Sequence, residues 1–460
     1  MIRRTPRRFL TVPVLALTLS ALMGPGASSQ GREQTTSSRL TLQQAVERAL
    51  DYHPSLQIAE AGVDVAAAAV GEAKAQWWPR IQLEASATRH QLPMLTGPIH
   101  AFTPDAIPPF DRTLYGGSAM AGFNVFDGGS RTARIGLAQA EARGASAQGE
   151  STLQTLIASV TVSYLRVLSA RGVLQAHEDL NTALTAELER VNRRIAEGTA
   201  ARVELLRAEA ALAAAEADLA ASAADLDVAE RNLARLLGAS VEETRVSRLA
   251  SVDLTTAARE ERERGTYQEL ASASNPHLDR ARENLRAAES GRKLAMAQWW
   301  PSIELTGGWI GYGYPGGLST EWQIGAKLRY PIFTGGARSK AVARAGAQAD
   351  AAREQLRMEE LSVEESVDAA VTVLHEVQSR VLAMIRAVDH QTEVVRIEQL
   401  ALDAGAGTQI DYLRAEADLS RARAALVEMR HAEIAARVEL ARVTGELSQE
   451  WLDRAVEINQ

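Results

Sequence analysis

The side chains that could do chemistry in this 460-residue chain are 58 acids, 50 lysines and arginines and eight histidines, and their spacing argues against a catalytic centre. The histidines are scattered, with no HExxH and no paired-His spacing that would hold a metal. There is no GxSxG elbow and no Walker loop. The absence of cysteine excludes thiolate metal sites and cysteine nucleophiles. Carboxylates are plentiful, but on segments this rich in Arg and Glu a charge usually belongs to a solvated face. No catalytic residue, cofactor or metal is expected. Two acids nevertheless stand at matching places: Glu204 precedes Leu206-Arg207-Ala208-Glu209-Ala210, and Asp411 precedes its copy Leu413-Arg414-Ala415-Glu416-Ala417, 207 residues on.

That copy belongs to a larger duplication. Ala75-Gln76-Trp77-Trp78-Pro79 returns intact as Ala297-Gln298-Trp299-Trp300-Pro301, at an offset of 222 that also carries His53-Pro54 onto Asn275-Pro276. Phe126-Asp127-Gly128-Gly129 returns as Phe333-Thr334-Gly335-Gly336 at the offset of 207. Two copies of one large unit point to internal pseudo-symmetry.

The elements that carry these motifs are legible from composition. Arg3, Arg4, Arg7 and Arg8, the apolar run Phe9 to Met23 and the small residues Gly24 to Ser29 read as a secretory signal peptide over 1–29. The remaining chain is acidic and suited neither to nucleic acid nor, lacking cysteine, to disulfide stapling or a lipid-modified N-terminal cysteine. No proline lies between Pro109 and Pro276 or after Pro331. Those stretches, rich in Ala, Leu, Glu, Arg and Gln, predict helices that would reach roughly 100 Å. Each is broken once by glycine, at Gly198 and at Gly405 and Gly407, and ends at Gly238 or Gly445. Leu205, Leu212, Leu219, Leu226 and Leu233 repeat every seven residues; Glu433 interrupts the matching stripe in the second copy.

Ahead of each Gly-Gly pair the apolar period drops to two, as in Ile81, Leu83, Ala85, Ala87 and in Trp322, Ile324, Ala326, Leu328. The organisation expected is a first repeat over 40–248 (strands about 80–92 and 113–126, helical hairpin 129–238) and a linker over 249–264. A second repeat follows over 265–447 (strands about 302–312 and 319–333, hairpin 336–445), then a tail over 448–460. Strands of this length can cross a bilayer obliquely. Four per chain cannot close a barrel, and an open edge in lipid is not tolerated, so several chains must pool them. A dimer would give about eight strands and a side-chain-filled interior, and a trimer about twelve and room for a pore. Alternation then turns Glu84, Glu304, Lys327 and Arg329 to the lumen and Ile81, Leu83, Ile324 and Leu328 to lipid.

The ordered set resembles the outer membrane efflux protein family, the TolC-like channels of Gram-negative bacteria. It is carried by Leu42 with His53-Pro54-Ser55-Leu56, the twin Asn275-Pro276-His277-Leu278, both Gly-Gly turns, and hairpins ending at Leu237-Gly238 and Thr444-Gly445. The fold implied is mainly α with membrane β: two tandem repeats of helix, strand, strand, long helix and helix. The four strands of each chain are pooled into a homotrimeric 12-stranded β-barrel that an α-helical periplasmic barrel continues. The resemblance places the protein in the outer membrane, against its lipid, and extending into the periplasm. It implies two partners: a periplasmic adaptor (membrane fusion) protein and an inner-membrane transporter of RND or ABC type.

The resemblance also suggests site residues. The turns at Gly198, Thr199, Gly405 and Gly407 would contact the adaptor, although glycine there also simply permits chain reversal. Asp411 and Glu204 would narrow the tunnel entrance as rings of carboxylates that concentrate cations. Asp411 also suits a capping-box-like start at Thr408, whereas Glu204 has Ala201 at the matching cap position. Arg207 and Arg414 stand where some relatives carry further acids, which allows an Asp–Arg latch instead of a second acidic ring. Trp77, Trp78, Trp299 and Trp300 could form an aromatic girdle at the membrane surface or packing that fixes the bend between barrel and tunnel. Opening would be an untwisting of the helix pairs at Gly198 and Gly405. The function implied is a passive exit duct for efflux or type I secretion; the competing reading is a periplasmic coiled-coil adaptor or scaffold without a pore.

Overall fold

The computed structural model describes residues 39–98, 109–246, 249–256 and 262–459. The expected signal peptide and part of the first inter-strand loop lie outside the described residues.

The helices of the duplication are kept to the residue, and the strands are not. In the first repeat α1 (Leu42–Tyr52) and α2 (Pro54–Ala75) precede β1 (Arg80–Leu95), β2 (Phe110–Phe126), α3 (Ser130–Ala196) and α4 (Arg202–Leu237). After α5 (Val241–Val246) and β3 (Ser251–Leu254), the second repeat runs α6 (Arg264–Ser274), α7 (Pro276–Ala297), β4 (Ser302–Tyr314), β5 (Gly317–Arg329), α8 (Ala337–Asp403) and α9 (Gln409–Thr444). The chain closes with α10 (Gln449–Ala455) and β6 (Val456–Asn459). Both long helices have 67 residues and both return helices 36. The His-Pro and Asn-Pro motifs are helix starts: His53 and Asn275 accept the N–H groups of Ser55 and His277 as N-caps, with proline at the first helical position.

The strands form one antiparallel sheet in the order β1-β2-β4-β5. β1 and β2 extend further than the sequence indicates, because an irregularity between Arg89 and Met94 absorbs Pro93 on an edge strand, where a missing N–H is tolerated. β5 stops at Arg329 rather than near 333, just before Pro331 would interrupt the ladder. β4 and β5 are joined by only Pro315 and Gly316, shorter than the expected loop.

The segments expected as linker and tail contain paired structure. β3 and β6 pair antiparallel, Ser251 opposite Asn459 and Leu254 opposite Val456. With α1, α10 and the middle of α3 they enclose the largest core, around Leu42, Val46, Val160, Tyr164, Leu447 and Leu452. The Tyr164 hydroxyl lies 2.8 Å from the carbonyls of Leu40 and Ala250, and burial pushes its pKa up.

Towards the hairpin tips the packing is thinner. In α4 the fully buried stripe is Ala208, Ala215, Ser222 and Ala229, while only Leu233 of the leucine stripe is fully buried. In α9 the stripe expected to be weaker buries Tyr412, Leu419 and Leu440. The physical reason is position: α9 packs against both α3 and α8, whereas α4 leans chiefly on α3 and lies at the edge of the chain. The most apolar window of α3 is 56% buried and belongs to this packing.

Candidate functional site

The sheet has two chemically distinct faces. Register places Ile81, Ala121, Gly307 and Ile324 in one row across all four strands, and Leu83, Ala119, Trp309 and Trp322 in the next. The large side chains of these rows are solvent-exposed in the single chain: Ile324 at 79% and Leu83 at 83%. The opposite face carries Glu84 with Ser118, and Asn124, Glu304 and Lys327 in one row, with Arg329 opposite Ser302. On that face the Tyr312 hydroxyl donates to Glu321 at 2.8 Å. One apolar face, one polar face and two unpaired edges, β1 and β5, describe a segment of a closed membrane wall.

At the junction of sheet and helix the tryptophans divide. Trp77 packs under the Arg131 guanidinium, 4.2 Å from the ring centroid, and Trp299 under that of Arg338 at 4.7 Å. Phe123 and Tyr330 complete these stacks and continue the apolar-face alternation of β2 and β5. Trp78 instead borders a hollow with Arg80, Gln82, Met120 and Glu304, on the polar side. Trp300 sits on the first Gly-Gly turn, so that a Cβ added at Gly128 would stand 2.5 Å from its Cβ.

At the far end, Gly198 (φ 73°) and Gly405 (φ 71°) adopt left-handed backbone where the hairpins reverse. The Thr199 hydroxyl donates to the Arg194 carbonyl at 3.0 Å. The Gly407 N–H donates to Ala401 O at 2.9 Å, and a Cβ on Gly407 would meet the Ala401 Cβ at 2.9 Å. Glu204 accepts from Arg194 Nη1 at 2.9 Å and from the Ala201 N–H at 3.3 Å. It therefore does half of a capping box, a role the sequence did not suggest because Ala201 has no acceptor of its own. Asp411 accepts the Thr408 hydroxyl, and Thr408 Oγ1 accepts the Asp411 N–H at 3.3 Å. Arg207 and Arg414 are exposed, and among the described residues of the single chain neither makes an ion pair.

Comparison with known proteins fits this architecture. Residues 45–239 and 267–446 match the family described as outer membrane efflux protein. The chain belongs to that family. Protein CyaE of Bordetella pertussis is 26% identical over 426 residues, 90% of this chain and 86% of that protein. Outer membrane protein TolC of Vibrio cholerae is 26% identical over 68% of this chain and 73% of its own length. The solved outer membrane protein VceC of Vibrio cholerae superposes with a TM-score of 0.75 at 21% identity, covering 88% of this chain and 96% of that one. Outer membrane efflux proteins are passive channels, which sets aside both an enzyme and a scaffold without a pore.

In this outer membrane efflux protein the most buried charge near the tips is one that spacing did not reveal. Glu187 on α3, 4% exposed, accepts from Arg190 Nε at 2.7 Å and Nη2 at 3.1 Å, and from Gln409 Nε2 of the second repeat at 3.1 Å. Arg190 Nη1 reaches Asp403 at 3.1 Å. Burial and the Glu416 carboxylate push up the pKa of the neighbouring Tyr412. An i,i+3 Glu–Arg pair is too common on such helices to single out; only the packing of the second hairpin against α3 brings Gln409 of α9 and Asp403 at the end of α8 to it.

Proposed function

We propose that three copies of this chain form a passive exit duct through the outer membrane and periplasm, fed by an inner-membrane transporter through a periplasmic adaptor. The observation that carries this is the four-stranded sheet with an apolar and a polar face and two open edges, continued by helices of 67 residues. Edge β5 of one copy meets edge β1 of the next, three sheets close a barrel of about twelve strands, and the long helices form a tunnel of roughly 100 Å. The energy comes from the transporter; this chain supplies a path and a gate.

Within that reading, Glu84, Glu304, Lys327 and Arg329 line the barrel, and Trp77 and Trp299 stand at the periplasmic membrane surface. The turns at Gly198, Thr199, Gly405 and Gly407 meet the adaptor. Glu204 and Asp411, with Arg207 and Arg414 one turn deeper, set the charge of the entrance. The chemistry of the wall does not name a cargo, and drug efflux and protein secretion use the same kind of duct.

The test is the native mass of the protein extracted from outer membranes with detergent, followed by single-channel recording. A heat-sensitive trimer that conducts supports the duct. A monomer or dimer recovered without detergent would overturn it.

A further inference from the structure

The two Gly-Gly turns differ in one charge, and the difference leaves buried Arg338 without the carboxylate that Arg131 has. In the first repeat Asp127 Oδ1 accepts the Gly129 N–H at 3.1 Å, while Oδ2 accepts the Arg131 N–H at 3.0 Å and Arg131 Nε at 2.9 Å. One carboxylate thus satisfies two orphan donors at the start of α3 and neutralises a guanidinium whose side chain is 5% exposed.

In the second repeat Thr334 stands at the place of Asp127. α8 begins with no side-chain cap and no acid in its first turn. Arg338, the counterpart of Arg131, is 8% exposed and stacks on Trp299 and Tyr330 in the same way. Among the described residues its Nη2 reaches only the Ile332 carbonyl, at 3.4 Å, and its Nε and Nη1 have no partner. Lys340, where the first repeat has Ala133, adds a second cation at the positive end of this helix. In the single chain Gly335 and Gly336 are exposed and a Cβ on either would touch nothing, whereas Gly128 is covered by Trp300.

We propose that the turn Thr334-Gly335-Gly336 with Arg338 binds a phosphate oxyanion, supplied by the headgroup of an anionic phospholipid in the periplasmic leaflet. The first repeat shows what such a turn accepts, an oxygen anion bridging two backbone N–H groups and Nε, and a phosphate offers the same oxygens. Position selects the lipid. Arg338 lies on the Trp299 and Tyr330 side, which continues the apolar face, and exposed Ile332 and Phe333 beside it suit acyl chains. A neighbouring copy does not supply the anion by symmetry. The segment equivalent to the one covering Gly128 is Lys74 to Arg80, which contains no acid. The lipid would tie the start of α8 to the bilayer surface at one junction per chain, while Asp127 serves the other from within.

This inference rests on the sheet being the membrane wall, and its test separates the two readings. The detergent-extracted trimer is titrated with phosphatidylglycerol, and separately with inorganic phosphate, under native mass spectrometry. The wild type and Thr334→Asp are compared, the variant carrying the carboxylate of the first repeat. Wild type should retain one phosphatidylglycerol per chain, and T334D should bind it at least about tenfold more weakly while remaining trimeric. Arg338→Gln should weaken binding similarly. Phosphate binding that T334D abolishes, without T334D-sensitive lipid binding, would keep the oxyanion site but overturn its assignment to lipid. Equal binding by wild type and T334D, or no binding to a wild-type trimer, would overturn the site and leave the duct standing. Failure to form a trimer would count against the duct itself.

Discussion

Arg190 Nη1 of the first repeat holds Asp403 of the second at 3.1 Å, across the hairpin tips, while its other nitrogens clasp buried Glu187. The two contacts differ in worth. Asp403 is 58% exposed, so its pair with Arg190 contributes at most about 1 kcal/mol. Glu187 is almost wholly buried, and Glu187→Ala leaves Gln409 Nε2 without this acceptor and Arg190 with Asp403 alone, at a cost of about 2 kcal/mol. Expressed alone in bilayers, Glu187→Ala should show more frequent open events than Asp403→Ala. Equal gating in both variants would mean that the cluster does not restrain the tips.

The glycine turns should respond unequally to the same substitution. Gly335→Ala has open space and only the cost of its φ of +59°, about 1 kcal/mol. Gly128→Ala adds a Cβ 2.5 Å from Trp300 Cβ and 2.7 Å from Ala297 O, so it should cost more than about 2 kcal/mol. The dissociation temperature of the trimer on unheated and heated gels reads the difference.

Charge on the two faces of the sheet has opposite consequences. Ile324→Arg places a cation on the apolar face and should reduce insertion, at about 2–4 kcal/mol if the site lies near the bilayer midplane. Glu304→Lys, on the polar face beside Lys327, should leave insertion intact and shift ion selectivity toward anions. Outer-membrane yield and reversal potential separate these effects; a loss of yield from Glu304→Lys would reverse the assignment of the faces.

At the tips, the bonding of Glu204 and Asp411 predicts separable effects. Glu204→Ala removes both the Arg194 bridge and the bond to the Ala201 N–H, about 1 kcal/mol of local stability. Asp411→Ala leaves Thr408 able to cap the Asp411 position and should cost only about 0.5 kcal/mol. Hydrogen exchange at the hairpin ends measures both. If the two acids also line the entrance, each substitution should lower block by divalent cations, and unchanged block would leave them as helix-start residues alone.

His431 on α9 supplies a pH dependence. Burial holds its pKa below the ordinary value of 6.5, with Arg430 acting in the same direction. The folded chain then binds fewer protons than the unfolded chain, so this contribution is fully present above pH 6.5 and is lost as pH falls below it. His431→Gln should flatten the fall in thermal midpoint between about pH 7 and 5; an unchanged slope would assign the fall to other groups.

Much of the architecture was legible because it rests on local rules. The missing prolines, the glycines at the reversals and the two offsets predicted helices whose observed ends differ by a residue or so. The period of two by itself separates Ile324 from Lys327, and the register puts them on opposite faces. What local pattern could not show was pairing at a distance. The four residues of β3 are apolar at only Val252 and Leu254, and nothing near them announces β6 about 200 residues later. Likewise the heptad leucines of α4 are intact, yet small residues are the more buried set, because burial depends on how closely α3 approaches.

The sequence by itself determined the duplication, the element order, the two-faced strands and the need for several chains. These follow from periodicity and backbone sterics, which act over a few residues at a time. Only the tertiary structure decided which charges are partnered. Asp127 satisfies Arg131 while Thr334 leaves Arg338 without a carboxylate, and Glu187 meets Gln409. Glu187 and Gln409 lie 222 residues apart and meet only because α9 packs on α3. The local Asp127–Arg131 pair matters because both Arg131 and Arg338 are buried, and sequence separation carries no record of either fact.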